Sequence, residues 1–161
     1  MKIESESLEF DQIIESEIKR SDLQSKALVD LDNALLSASK SINKIIGGTP
    51  VYLSTQKKNI SSIEIAQNFM NATQTGMLFN TKKIKSNNSD KTIYLQNHLE
   101  DIEICTISVS ETGDYISVYF DKARMKYPTS HEGIFKCVKE ILKRDGVVEE
   151  AVRLSKNTPQ R

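Results

Sequence analysis

Hydrophobic residues recur every three or four positions over most of the first 46 residues, which is the spacing of amphipathic helices. In an acidic head segment, residues 1–20, these positions are Phe10, Ile13, Ile14 and Ile18. A separate, longer helix is predicted from Ser21, because Ser21 and Gln24 have the spacing of a capping box. Gly47 and Gly48 predict its end, since glycine readily adopts the left-handed conformation that commonly follows a helix.

The pattern changes to a period of two in the middle of the chain, which predicts strands. The predicted strands are Met77–Ile84, Thr92–Gln96, Glu103–Val109 and Tyr115–Asp121, preceded by a short extended piece at 51–54. Before them, Ser61 and Glu64 have capping-box spacing and predict a helix that ends at Gly76. The apolar positions change phase within the strand that contains Cys105, which predicts a β-bulge there.

Helical periodicity returns near the C-terminus. Thr129 and Glu132 have the spacing of another capping box and predict the start of a helix whose buried side includes Phe135. A short helix is predicted after Gly146, and residues 155–161 are predicted to form a flexible tail.

These elements predict one α+β domain over residues 1–161. Its sheet is mainly antiparallel, with four or five strands, and the long N-terminal helix packs on it together with the C-terminal helices. A chain of this length buries roughly 70% of the surface that its unfolded form exposes, so a hydrophobic core can stabilise it without disulfides.

Charge is balanced overall, with 22 acidic and 22 basic residues, but it is unevenly distributed. Residues 1–35 contain nine acids and four bases, whereas residues 36–98 contain eight lysines and two acids. The acids of the head segment that we consider candidate partner-binding residues are Glu9, Asp11, Glu15 and Glu17. They are either a contact for a basic partner or the solvated side of a surface helix. The apolar stripe of the same segment either docks on the domain or stays exposed for another protein.

The basic middle of the chain contains a second set of candidates. They are Lys82, Lys83, Lys85 and Lys91, to which Lys57 and Lys58 are possible additions. Phosphate binding requires several cations on one face. Neighbouring residues in a strand point to opposite faces, and lysines on an edge strand also prevent aggregation. The pattern therefore favours a solvated hairpin over a nucleic-acid surface.

The sequence contains few residues that could support chemistry. The four residues that could form a zinc site are His98, Cys105, His131 and Cys137, but their spacing matches no local pair of zinc ligands. Cys105 lies in an isoleucine-rich strand, where thiols are usually inert. Because there is also no glycine-rich phosphate loop, we predict no metal, no cofactor and no enzyme activity.

The location predicted from the sequence is cytoplasmic. No apolar run reaches the ~20 residues that are needed to cross a bilayer. The acidic first residues lack the apolar core of a signal peptide, and two cysteines are too few for a disulfide framework. We therefore expect no membrane partner.

The expected function is that of a non-catalytic protein-binding factor, such as an inhibitor, an immunity or antitoxin-like protein, or a dedicated chaperone. The composition, rich in Ile, Lys, Asn and Ser, indicates a bacterial or phage gene. Two alternatives are a nucleic-acid-associated factor that uses the basic region 57–91, and a small-molecule-binding α+β fold. Self-association into a homo-oligomer is left open by the sequence.

Overall fold

The structure, a computed structural model, describes residues 2–56 and 90–156, with the backbone alone for residues 2–4. In chain order its elements are α1 (Lys2–Ile46), β1 (Tyr52–Ser54), β2 (Lys91–Gln96), β3 (Asp101–Val109), β4 (Tyr115–Phe120), β5 (Ala123–Pro128), α2 (His131–Lys143) and α3 (Val147–Lys156). The predicted helix that starts at Ser61 and the predicted strand Met77–Ile84 lie outside the described residues. Within the two described ranges, no helix is both long and apolar enough to span a membrane.

α1 is one continuous helix of 45 residues, so the predicted break at Ser21 is wrong. The helix contains no glycine or proline, and nothing interrupts its backbone hydrogen bonds at that point. The Gln24 side chain does not cap a helix; it donates to the carbonyl oxygens of Ser110 and Glu111 at 2.9 and 3.2 Å. The end of α1 is as predicted, because Gly47 follows it with a φ of 69°.

The strands form one antiparallel sheet in the order β1-β2-β3-β4-β5. Along β2 and β3 the pairing passes from Ile93 with Cys105 to Tyr94 with Glu103, so Ile104 is the extra residue of a β-bulge. The bulge predicted near Cys105 is therefore confirmed. It restores the alternation of apolar residues in β3 to a single face of the sheet.

β5 extends the sheet beyond the predicted strands. It forms a tight hairpin with β4, in which Phe120 pairs with Ala123 around a two-residue turn, Asp121–Lys122. Met125 and Tyr127 alternate with polar residues in β5, as they should in a strand with one face toward the core. This period-two signal is present in the sequence, but it covers only a few residues.

All three helices lie on the same face of the sheet, because their buried side chains form one core with one face of the strands. The helix residues of this core are Ala27, Leu31, Leu35, Ile42, Ile134, Cys137, Val138, Ile141, Ala151 and Leu154, and its strand residues are Leu53, Ile93, Leu95, Cys105, Ile107, Val109, Ile116, Val118, Phe120 and Tyr127. The result is the predicted α+β arrangement, with a long helix packed on an antiparallel sheet. No described helix covers the opposite face.

The start of α2 differs from the prediction by one residue. Ser130 is the N-cap, and its side chain accepts a hydrogen bond from the Gly133 N–H at 3.2 Å. The Thr129 hydroxyl instead donates to the carbonyl oxygen of Gly113 at 2.8 Å. Phe135, predicted to be buried, is 49% exposed. The side of α2 that faces the core is formed by Ile134, Cys137, Val138 and Ile141 instead.

α1 closes the β1 edge of the sheet with two polar side chains. Ser39 Oγ accepts from the Leu53 N–H at 2.8 Å and donates to the Leu35 carbonyl oxygen at 2.8 Å. The Asn43 side-chain amide binds both main-chain groups of Val51, accepting from its N–H at 2.8 Å and donating to its carbonyl oxygen at 2.9 Å. The helix thus satisfies backbone groups that an edge strand otherwise presents to solvent.

The turn between β2 and β3 holds α3 in place. Asn97 is fully buried; its side-chain oxygen accepts from the N–H groups of Leu99 and Glu100 at 2.8 Å, and its amide donates to the Leu154 carbonyl oxygen at 3.1 Å. The Arg153 guanidinium donates to both carboxylate oxygens of Glu100, at 2.8 and 3.0 Å. This pairing lowers the pKa of the Glu100 carboxyl from its ordinary value.

Candidate functional site

α1 extends well beyond the part of the helix that packs on the sheet. Of its described side chains, Gln24 is the first that is buried, and every residue from 5 to 20 is exposed. We call residues 5–20 the overhang. At 1.5 Å per residue the overhang is roughly 24 Å long. It is therefore a helical arm that projects from the core of the protein.

The overhang carries an apolar stripe that we define by four residues: Phe10, Ile13, Ile14 and Ile18. Their exposed fractions lie between 52% and 62%. Fourteen residues, close to four helical turns, separate Ile13 from the buried Ala27 and Ile14 from the packed Leu28. The stripe therefore continues the side of α1 that contacts the core, but beyond the edge of the sheet.

The overhang also carries acids, most of them beside this stripe and one within it. The candidate residues Glu9, Asp11, Glu15 and Glu17 are all exposed, and with Glu6 they make five acids against only Lys19 and Arg20. Glu9 and Asp11 are the neighbours of Phe10 on its two sides. Glu17 lies on the stripe itself, one turn after Ile13, and it forms an ion pair with Arg20. The arrangement combines exposed apolar side chains with a negative border.

The basic candidates are only partly within the described residues. Lys91 is the exposed first residue of β2, opposite Ile107 of β3. Lys82, Lys83 and Lys85 lie outside the described ranges, as do Lys57 and Lys58. The nucleic-acid alternative therefore remains a prediction from the sequence.

The open face of the sheet is rich in hydroxyl groups and tyrosines. From the strand register, its residues include Thr92, Tyr94, Thr106, Ser108, Tyr115, Ser117, Tyr119, Arg124 and Lys126. The Arg124 guanidinium lies 5.4 Å from the ring centroid of Tyr119, and the Lys126 ammonium lies 4.6 Å from that of Tyr115. Arg124 also donates to Ser117 Oγ at 3.2 Å. Arg124 and Lys126 thus place two cations along β5, the last strand of the sheet, on its open face.

The structure does not bring the four potential zinc ligands together. Cys105 and Cys137 are buried in the core, where burial raises the pKa of each thiol to about 12. His98 is exposed in the turn after β2, and His131 is the exposed first residue of α2. Within residues 2–56 and 90–156, no three His, Cys, Asp or Glu side chains are grouped as a metal site. Both thiols are small apolar parts of the core.

A groove with a partly apolar lining lies between α1 and the start of α2. Its volume is about 550 Å³, and its lining includes Ala34, Ile134 and Phe135, with Lys26 and His131 among the polar residues. The groove opens to solvent, whereas small-molecule sites usually enclose most of their ligand. The small-molecule alternative therefore gains no support from it.

The acids of the overhang were found from the sequence, but the cations of β5 were not. The signal that could have found them is the alternation of Arg124 and Lys126 with Met125 and Tyr127 after a two-residue turn. Comparison with known proteins identifies no relative: the chain matches no protein-family model, no curated protein and no solved structure.

Proposed function

We propose that this protein is a non-catalytic protein-binding factor, of the inhibitor, immunity, antitoxin-like or dedicated-chaperone type, and that its partner binds the overhang. The observation that carries the proposal is the exposed apolar stripe on a helix that projects from the core. Single exposed apolar residues are common and need no explanation. Four on one side of a helical arm form a surface that a second helix or an apolar groove can cover.

The charge of the overhang indicates the chemistry of this partner. Five acids and two bases give residues 5–20 a net charge of −3. A complementary partner presents an apolar seam with lysine or arginine on its flanks. A second copy of the chain fits less well, because parallel pairing brings the acids of both copies together. Antiparallel pairing offers the five acids of one copy only Lys19 and Arg20 of the other, and Arg20 already pairs with Glu17 in its own chain.

The experiment has two stages. A photo-crosslinking amino acid at position 14, in cells of the source organism, should join the chain to a discrete partner, whereas the same amino acid at position 29 should not. Val29 is the control position because it is as exposed as the stripe residues but lies outside the overhang, in the part of α1 that packs on the core. The crosslinked partner is then purified and its affinity for variants is measured by calorimetry.

The double variant Phe10→Ser, Ile14→Ser should bind at least about tenfold more weakly than the native chain, because it removes two large apolar contacts. The matched variant Val29→Ser, Leu36→Ser also removes two exposed apolar side chains from α1 and should bind normally. Equal affinity of the two double variants would refute the proposal. So would a stable homodimer of the native chain that the stripe substitutions dissociate, because the stripe would then be a self-contact.

A further inference from the structure

Within the described residues, the two edges of the sheet differ in how far other elements cover them. At the β1 edge, Ser39 and Asn43 of α1 bind the main-chain groups of Leu53 and Val51. At the β5 edge, the first four residues of the strand, 123–126, are all exposed. An open edge can pair with a further strand, so proteins usually cover or modify such edges.

The outward-pointing groups of β5 can be identified from its pairing with β4. The pair Phe120–Ala123 flanks the two-residue turn and exchanges backbone hydrogen bonds, and so does every second pair after it, which in β5 includes Met125 and Tyr127. The Thr129 N–H, which donates to the Asp114 carbonyl oxygen at 3.0 Å, continues this alternation. The N–H and C=O groups of Arg124 and Lys126, in the intervening pairs, therefore point away from β4. No hydrogen bond from another described residue reaches them.

The position of Pro128 agrees with this assignment. Pro128 pairs with Tyr115 and belongs to the same set of residues as Arg124 and Lys126. A proline has no N–H, so it is compatible with the ladder only where that group would point outward. The edge of β5 therefore presents two complete main-chain pairs of donor and acceptor, followed by a proline that ends the open stretch.

The side chains around this edge define the chemistry of the strand that fits it. Arg124 and Lys126 project onto the open face, and Met125, which is exposed, projects toward the helix face. Residues 122–144, which include β5 and α2, contain seven bases and only two acids. A neighbouring strand with acids opposite Arg124 and Lys126 forms favourable cross-strand pairs, whereas a second copy of β5 places like charges opposite each other.

We propose that the β5 edge binds an acidic extended segment of a partner protein, which joins the sheet as a sixth strand. The segment has Asp or Glu at alternate positions, facing Arg124 and Lys126, and apolar residues between them, facing Met125. Backbone hydrogen bonds to the open edge hold the segment, and the cations select it. The site is separate from the overhang, so the inference goes beyond the proposed function and does not depend on it.

The competing explanation is that Arg124 and Lys126 only keep other strands away from an open edge. The probe that distinguishes the two is a fluorescent ten-residue peptide in which glutamate alternates with valine and threonine. Its controls are the same peptide with lysine in place of glutamate, and two forms of the glutamate peptide, each with N-methyl groups on one of the two alternate sets of amides. Fluorescence polarisation with the full-length chain measures binding of each peptide.

We expect saturable binding of the glutamate peptide, which weakens with added salt, and no binding of the lysine peptide. N-methylation in one of the two registers should abolish binding, since a strand presents alternate amides to its neighbour. The variant Lys126→Pro removes one outward N–H without touching the β4 ladder and should weaken binding about fivefold more than Lys126→Ala does, as expected for one hydrogen bond. Charge reversal, Arg124→Glu with Lys126→Glu, should transfer the preference to the lysine peptide. Circular dichroism confirms that each variant is folded.

Hydrogen exchange gives an independent measure. In the free protein the amides of Arg124 and Lys126 should exchange rapidly while those of Met125 and Tyr127 are protected, and the peptide should protect the first two. The inference is overturned if the glutamate peptide does not bind, or if neither N-methylation nor Lys126→Pro affects its binding. Protection of the Arg124 and Lys126 amides in the free protein would also overturn it, because the edge would already be occupied.

Discussion

The hydrogen bond between Ser39 and Leu53 allows a quantitative test of how α1 closes the sheet. Ser39 is 1% exposed and Leu53 is 3% exposed, so the Leu53 N–H has no access to water. Ser39→Ala removes the acceptor and leaves this N–H buried without a partner, which costs about 1–3 kcal/mol. Alanine has a higher helix propensity than serine, which offsets a few tenths of a kcal/mol, or about 0.5 at most.

A second serine on the same helix is a matched control. Ser41 is exposed, so Ser41→Ala has the same effect on helix propensity but breaks no buried bond. Urea unfolding at 25 °C, followed by circular dichroism, gives the free energy of unfolding of both variants. We expect Ser39→Ala to be less stable than Ser41→Ala by about 1–3 kcal/mol, and to melt about 2–12 °C lower.

The outcome that contradicts the reasoning is a difference of less than about 0.5 kcal/mol between the two variants at equal m-values, which is within the usual effect of surface substitutions. Water would then have reached the Leu53 N–H, or the contact would be weaker than its 2.8 Å length implies. Hydrogen exchange at the Leu53 amide separates these cases, because only water entry accelerates it.

Three further outcomes test other parts of the fold. The ion pair with Arg153 lowers the pKa of the Glu100 carboxyl, so the contribution of this carboxylate to stability is present at neutral pH and is lost as the pH falls through its folded-state pKa. Between pH 6 and pH 3, the Tm of Glu100→Gln should therefore fall less than the Tm of the native protein. Parallel curves of Tm against pH would contradict this. Because the pKa values of Cys105 and Cys137 are raised to about 12, a disulfide reagent at pH 8 should label neither thiol in the native protein and both in guanidinium, and rapid native labelling would show an open core. A Cβ on Gly133 would lie 2.1 Å from the backbone oxygen of Pro128, so Gly133→Ala should unfold the protein or cost at least about 3 kcal/mol. Gly47 has open space around it but a positive φ, so Gly47→Ala should cost only about 1–2 kcal/mol. Equal Tm values for the two variants would contradict the close approach at Gly133.

The periodicity of the sequence predicts the layers of the fold, since burial of one face gives each element its pattern. The helix break at Ser21 was wrong because serine and glutamine at capping-box spacing also occur inside helices. Only a glycine, a proline or a change of direction would have marked a true end. The strand β5 was missed because its alternation is short and its outward residues are charged, as in many edge strands.

The exposed part of α1 could not be predicted in the same way. Phe10 and Ile14 each lie 14 residues, close to four helical turns, before Gln24 and Leu28, so all four are on the same side of α1. The sequence does not indicate where along this side the sheet ends. The edge contacts of Ser39 are equally hidden, because they join residues 14 positions apart through a fold that the helix pattern alone does not define. Local periodicity determines the elements, whereas the boundaries between covered and open surface depend on how the elements meet.

The strand order has a consequence for how the chain folds. From β2 to β5 each strand pairs with the next along the chain across a short turn, whereas β1 pairs with β2 across the 36 residues between Ser54 and Lys91. Loop closure becomes entropically more costly with length, and local contacts form faster. We therefore expect β2–β5 to assemble first, with β1 joining later. Pulse-labelling during refolding should then protect the amides of β3 and β4 before those of Tyr52 and Ser54, which face β2 because the intervening Leu53 N–H faces α1.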